Sequence, residues 1–189
     1  NHILTFINML FNSIEFFIFL PIVYFLYWNI LNKNLKIQNL FLLFCSYFFY
    51  GWWDWRFLTL IFLSTIVDFF CGLKIYESSN PKNQLKYLRF SILVNIFILI
   101  IFKYFNFFIE SWIDFLNLFG YHNSNIWTLN IILPIGISFY TFQTMSYTID
   151  IYFKKLKPTK DFIAFASFVS FFPQLVSGPI ERAIRLLPQ

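Results

Sequence analysis

Hydrophobic positions dominate this chain in long blocks, and polar positions gather into short gaps between them. The blocks fall at 14–31, 37–53, 57–73, 88–109 and 131–153, and a shorter one at 161–172 runs into proline and glycine. About 20 residues at 1.5 Å each cover the roughly 30 Å of hydrocarbon in a bilayer, so the first five blocks predict five membrane-crossing helices. Their ends carry boundary markers. Tyr27 and Trp28 close the first block, and Trp52, Trp53 and Trp55 close the second, as rings that settle at the membrane–water interface do. Ser78, Ser79, Asn80 and Pro81 break the chain before the fourth block. After it, the segment WIDFLNLFG reads as a short interfacial helix ending at Gly120. The predicted fold class is therefore all-α, a polytopic transmembrane bundle of five spans plus a broken or re-entrant sixth. Residues 1–8 read as an upstream extension and 9–189 as one membrane domain; no cleavable signal sequence is visible, so the first block should stay as a span.

Composition sharpens this reading. The chain is 59% hydrophobic, 25% aromatic and only 12% charged, against about 25% charged in soluble domains. A net charge of +5 raises the question of nucleic acid. The cations answer it by sitting in short loops: Lys33 and Lys36 after the first block, Lys74, Lys82, Lys86 and Arg89 after the third, Lys154, Lys155, Lys157 and Lys160 after the fifth. That alternation is a topology signal. It puts those loops in the cytoplasm and the N-terminus outside, with lipid and no nucleic acid as the surrounding partner.

Polar residues inside the blocks locate the chemistry. At about 100° per residue, Thr141, Thr144 and Thr148 share one side of the fifth helix, while Gln143, Ser146 and Asp150 lie nearly opposite. Such groups are costly against lipid tails, so protein or water should wall this helix on both sides. In the next block Pro173, Gly178 and Pro179 interrupt the apolar run and loosen backbone groups that only a protein-lined or water-filled space can accommodate. A cavity is expected beside 172–182, lined by Gln143, Asp150, Gln174, Ser177, Glu181 and Arg182. The Arg182 guanidinium suits a phosphate or a thioester carrier, or else anchors the interface.

Other polar positions have two readings each. Asp68 is an intramembrane acid that either serves a site or pairs with Lys74. Lys103 either reaches the interface along its own stem or forms an ion pair in the bundle. Cys45 and Cys71 read as packing residues, with no neighbours for a metal. General acid/base work at neutral pH usually needs histidine, and the chain has only His2 and His122, both placed in terminal or loop sequence. No catalytic residue is expected within these 189 residues.

LPIGISFYTFQTMSYTIDIYF followed by FFPQLVSGPIERA resembles the membrane-bound O-acyltransferase (MBOAT) family, in its branch of alginate O-acetyltransferases and D-alanyl transfer proteins of teichoic acid synthesis. MLFNSIEFFIFLPIVYFLYW, SYFFYGWWDWRFL, DFFCGLKI and FKYFNFF add to the likeness, which runs from Met9 to the end. The resemblance implies the N-terminal portion of an enzyme that moves an acyl group, acetyl above all, from a cytoplasmic thioester to a hydroxyl of an exported polysaccharide such as alginate. Acyl-CoA or an acyl carrier would be the donor, with no bound cofactor, and periplasmic or extracellular acetylation proteins would be partners. It also implies a catalytic histidine in a later helix, which no position here matches. D-alanyl or peptidoglycan acyl transfer is the neighbouring alternative; a non-enzymatic membrane scaffold or transporter subunit is the alternative from another class.

Overall fold

The computed structural model describes residues 13–119, 136–177 and 181–187, without the side chains of Trp53, Val176 and Ser177. All regular structure among them is helical. Helix α1 (Ile14–Phe25) starts at Ser13, whose hydroxyl accepts the Phe16 N–H at 3.3 Å. It winds into a wider π-helical turn at Leu26–Ile30. That turn leaves the Tyr27 carbonyl accepting from Gln38 Nε2 at 3.1 Å, which ties α1 to α2 (Leu35–Asp54). Asn34 caps α2 through the Lys36 and Ile37 amides. A tight turn at Trp55–Phe57 follows, where Arg56 hydrogen-bonds Asp54 and holds its carboxyl below the usual carboxylate value. Next come α3 (Leu58–Glu77) and α4 (Pro81–Leu99), the latter with Pro81 in its first turn and Asn80 as its cap.

A second π turn, Ile100–Tyr104, carries α4 directly into α5 (Phe105–Leu118). The segment expected to be a separate interfacial helix is thus the end of one 38-residue rod, Pro81–Leu118. No helix-breaking residue separates the two parts, and a π turn absorbs the strain without ending the helix. Gly120 lies outside the described residues. Among the described residues, this rod and Trp55–Glu77 are the helices long and apolar enough to cross a membrane. Ile14–Ile30 is apolar but shorter, and α6 (Ile137–Tyr152) has 16 residues; residues 131–135 of the fifth block are not described. The chain ends in short helices α7 (Phe162–Ser170), α8 (Phe172–Ser177) and α9 (Ala183–Leu186).

The core forms where α3 packs on α4 and α6, and where α2 packs on α7. Gly72 permits the first of these contacts. A Cβ there would stand 2.7 Å from Tyr147 Cε1 and 2.9 Å from Ile151 Cδ1, so even a methyl group would make these α6 side chains shift. Helix α7 is buried from Phe165 through Ser170, which requires protein around its whole circumference. A smaller cluster joins Phe16, Val23, Cys45, Phe49 and Phe172. Cys45 and Cys71 are both buried free thiols packed as side chains of modest size. Outward faces of α1, α2, α4 and α5 present phenylalanines such as Phe17, Phe44, Phe97 and Phe107. Exposed aromatic surface on this scale suits lipid and not water.

Candidate functional site

Helix α6 is walled on both polar sides, as the wheel requires. Thr141, Thr144, Thr148 and Gln143 are fully buried, and Asp150 is nearly so. The threonine side meets α3 and α4 in a continuous network. Asp68 accepts from Ser91 Oγ at 2.5 Å and from Asn95 Nδ2 at 2.7 Å. Asn95 Oδ1 accepts from Ser64 Oγ at 2.8 Å, and Thr144 lies 3.4 Å from the same atom. Ser91 also contacts Thr148 across 3.0 Å. Every member has zero solvent exposure. Three helices are stitched through one carboxylate, and each of its oxygens is matched to a donor.

This takes Asp68 away from the expected pairing with Lys74. Lys74, its expected partner, instead bonds Glu77 at 3.0 Å in an exposed pair. Position 68 faces inward while position 74 faces out, so the sequence distance between them misleads. Lys103, exposed in the π turn, forms no ion pair among the described residues. Its ammonium donates to Ser138 Oγ at 2.9 Å and lies over the Tyr104 ring, linking the long rod to the first turn of α6.

The other side of α6 faces the broken segment. Gln143 Nε2 donates to the Phe168 carbonyl of α7 at 3.1 Å. The break itself is at Phe171, whose backbone turns out of helix with ψ 105, two residues before the expected interruption at Pro173. Pro173 instead sits in the first turn of α8, where its missing N–H has no helical acceptor to lose. The loosened Phe172 N–H finds Ser46 Oγ of α2 at 3.3 Å, and Ser167 Oγ donates to the Asn39 carbonyl at 2.7 Å. Opposite, α6 begins at Gly136 in the left-handed region, φ 75, with the Leu175 carbonyl where a Cβ would be. Glycine alone fits that close approach.

The expected site residues divide accordingly. Gln143 and Gln174 are buried on α6 and α8, whose ends meet at Gly136 and Leu175. Glu181, half-buried, and Arg182, exposed, precede α9, which packs on α6 through the buried Ala183. Asp150 sits about 10 Å further along α6 from Gln143, near the lysine loop, where its main-chain carbonyl accepts from the Lys155 and Leu156 amides. The Ser177 side chain, Gly178 and Pro179 are outside the described residues, as are His2 and His122. Among the described residues, Gln143 Oε1, Asp150 Oδ2 and Tyr140 Oη are buried without a hydrogen-bond partner. Tyr140 is the residue sequence reasoning missed; its signal was its spacing of three from Gln143, which puts both on one helical face. Buried acceptors and a phenol can bind and orient a hydroxylated molecule.

Comparison with known proteins gives this architecture its relatives. The chain is 37% identical over 183 residues, 96% of its length, to a probable alginate O-acetylase AlgI of Pseudomonas aeruginosa, and 36% identical over the same share to that of Azotobacter vinelandii. Over nearly its whole length the chain is related to these alginate O-acetylases, which bears out its resemblance to that branch of the MBOAT family. A peptidoglycan O-acetyltransferase of Helicobacter pylori is 34% identical over 96% of the chain. The chain spans about a third of these relatives, covering 34%, 36% and 38% of their respective lengths. No family model and no solved structure matches it. Acyltransferase kinship, apolar rods and lipid-compatible faces together make this a membrane protein.

Proposed function

We propose that the chain is the N-terminal part of a membrane O-acetyltransferase that moves acetyl from a cytoplasmic thioester to a hydroxyl of an exported cell-surface polysaccharide such as alginate. Identity of 36–37% sustained over 96% of the chain to alginate O-acetylases is the observation that carries this reading. The five-span topology with N-terminus outside and the cytoplasmic lysine loops belongs to the same proposal, as does a bacterial inner-membrane location. The polysaccharide would arrive through periplasmic or extracellular partner proteins, and acyl-CoA or an acyl carrier would supply the thioester. The similarity to a peptidoglycan O-acetyltransferase keeps peptidoglycan as the second acceptor to test.

In this reading the base that takes the acceptor's proton is a histidine of the family's sequence beyond the stretch matched here, and residues 1–189 alone are inactive. What this chain contributes is orientation: Gln143 and Gln174 wall the space beside the α7–α8 break, and Arg182 holds the donor's phosphate as a fixed cation with paired donors. The test supplies the full-length protein to strains lacking their own alginate or peptidoglycan O-acetylase. Restored ester-linked acetate on one polymer supports the function and names the acceptor; acetate on neither overturns it. Within that assay, Arg182→Ala should lower acetylation about tenfold or more at unchanged membrane abundance. Unchanged acetylation removes Arg182 from the site.

A further inference from the structure

One face of α4 carries a feature that the proposed reaction does not use. Lys82, Leu85, Lys86, Arg89, Phe90 and Leu93 line a trough of about 430 Å³. Spacings of three, four and seven residues place the three cations in a single stripe. The stripe lies nearly opposite the α4 face that buries Leu88, Ser91 and Asn95, so it looks away from the bundle. Lys74, Arg56 and Arg185 each have a carboxylate within 4.0 Å. Lys82, Lys86 and Arg89 have none among the described residues, although all three are exposed.

Charge and apolarity are ordered along the stripe. The cations occupy its first two turns, over a rise of about 10 Å, and Phe90 and Leu93 continue it with 53% and 65% exposure. From there the helix runs on as the long apolar rod ending at Leu118. A soluble anion would use only the cationic half, and an acidic protein would leave two large apolar side chains facing lipid. A phosphodiester headgroup with a hydrocarbon tail meets both halves at once, with phosphate at the cations and chain along Phe90 and Leu93.

We propose that this face of α4 is a binding site for an anionic glycerophospholipid of the membrane leaflet that holds the α3–α4 turn. The site does not depend on the acetyl-transfer reading. Its strength comes from cations at the headgroup level, each contributing roughly a fivefold preference for anionic over zwitterionic lipid.

The experiment uses the whole protein in nanodiscs of phosphatidylcholine doped with phosphatidylglycerol, and native mass spectrometry counts the lipids retained after release. Wild type should retain phosphatidylglycerol over phosphatidylcholine by tenfold or more. Lys82→Gln/Lys86→Gln/Arg89→Gln should abolish that preference, whereas Lys33→Gln/Lys36→Gln should preserve it; thermal unfolding in the same nanodiscs reports that each variant is folded. Phe90→Ala/Leu93→Ala should weaken retention while keeping the headgroup preference. A preference that survives loss of the three cations overturns the proposal. So does displacement of the lipid by water-soluble glycerophosphoglycerol at equal concentration, which would assign the stripe to free phosphate esters, or loss of the preference when an acidic soluble protein is added.

Discussion

Asp68 shows how much can depend on one buried group. Its carboxylate accepts from Ser91 and Asn95, and through Asn95 it orients Ser64 and Thr144, so one residue of α3 positions side chains on α4 and α6. Removing it strands two buried donors, each of which costs about 1–3 kcal/mol when left unmade. Asp68→Ala should therefore destabilise the protein by roughly 2–5 kcal/mol, while Asp68→Asn, which keeps the shape and an acceptor, should cost less than half of that. Thermal unfolding in detergent of the two purified variants checks the order. Equal losses would mean that the shape and single acceptor kept by asparagine contribute nothing and that both carboxylate oxygens are needed. Tyr140 and Gln143 present a related case on the facing side of α6, with polar atoms buried but unmatched among the described residues.

At the scale of elements, helix ends set the geometry around the candidate site. Helix α6 ends with Lys154 at φ 58, its amide on the Ile151 carbonyl and the Lys155 amide on that of Asp150. This is the reversal that usually employs glycine at the left-handed position. Lys154→Gly should accordingly stabilise the fold by a few tenths to about 1 kcal/mol, offset partly by the added freedom of the unfolded chain. Chemical denaturation measures it, and a destabilised variant would show that the lysine side chain has a contact worth more than the strain. Much of the element order was legible. Asn34, Asn80 and Asp161 cap helices where polar gaps meet apolar blocks. The two π turns were not, because a single widened turn leaves the pattern of apolar residues almost unchanged. The break falls at Phe171, two residues ahead of Pro173, because proline acts on the chain before it and is tolerated within a first helical turn.

For the whole molecule, the wheel of α6 foretold which faces would be covered but not by what. Partners such as Ser64 and Thr144 are 80 residues apart in sequence, and no local pattern encodes that pairing. Gln143 was legible as an inward-facing polar residue because its polarity was out of place on an apolar helix; Tyr140 passed for core because a ring is at home there. Orientation remains a matter of charge: the loop between α3 and α4 should face the cytoplasm, since Lys74, Lys82, Lys86 and Arg89 flank it. A Ser79→Cys variant should react with an impermeant thiol reagent only after the cells are opened. Ready reaction in intact cells would invert the topology.

The enclosure of α7 from Phe165 to Ser170 has a bearing on biogenesis. Nine residues are too few to partition into lipid as an independent unit, and their neighbours α2 and α3 leave the ribosome first. The nascent protein is thus obliged to build a receptacle before it can fill it. Site-specific crosslinking of stalled chains should capture α3 beside α4 at lengths where α7 is still in contact with the insertion machinery; α7 found stably in lipid at that stage would reverse the order.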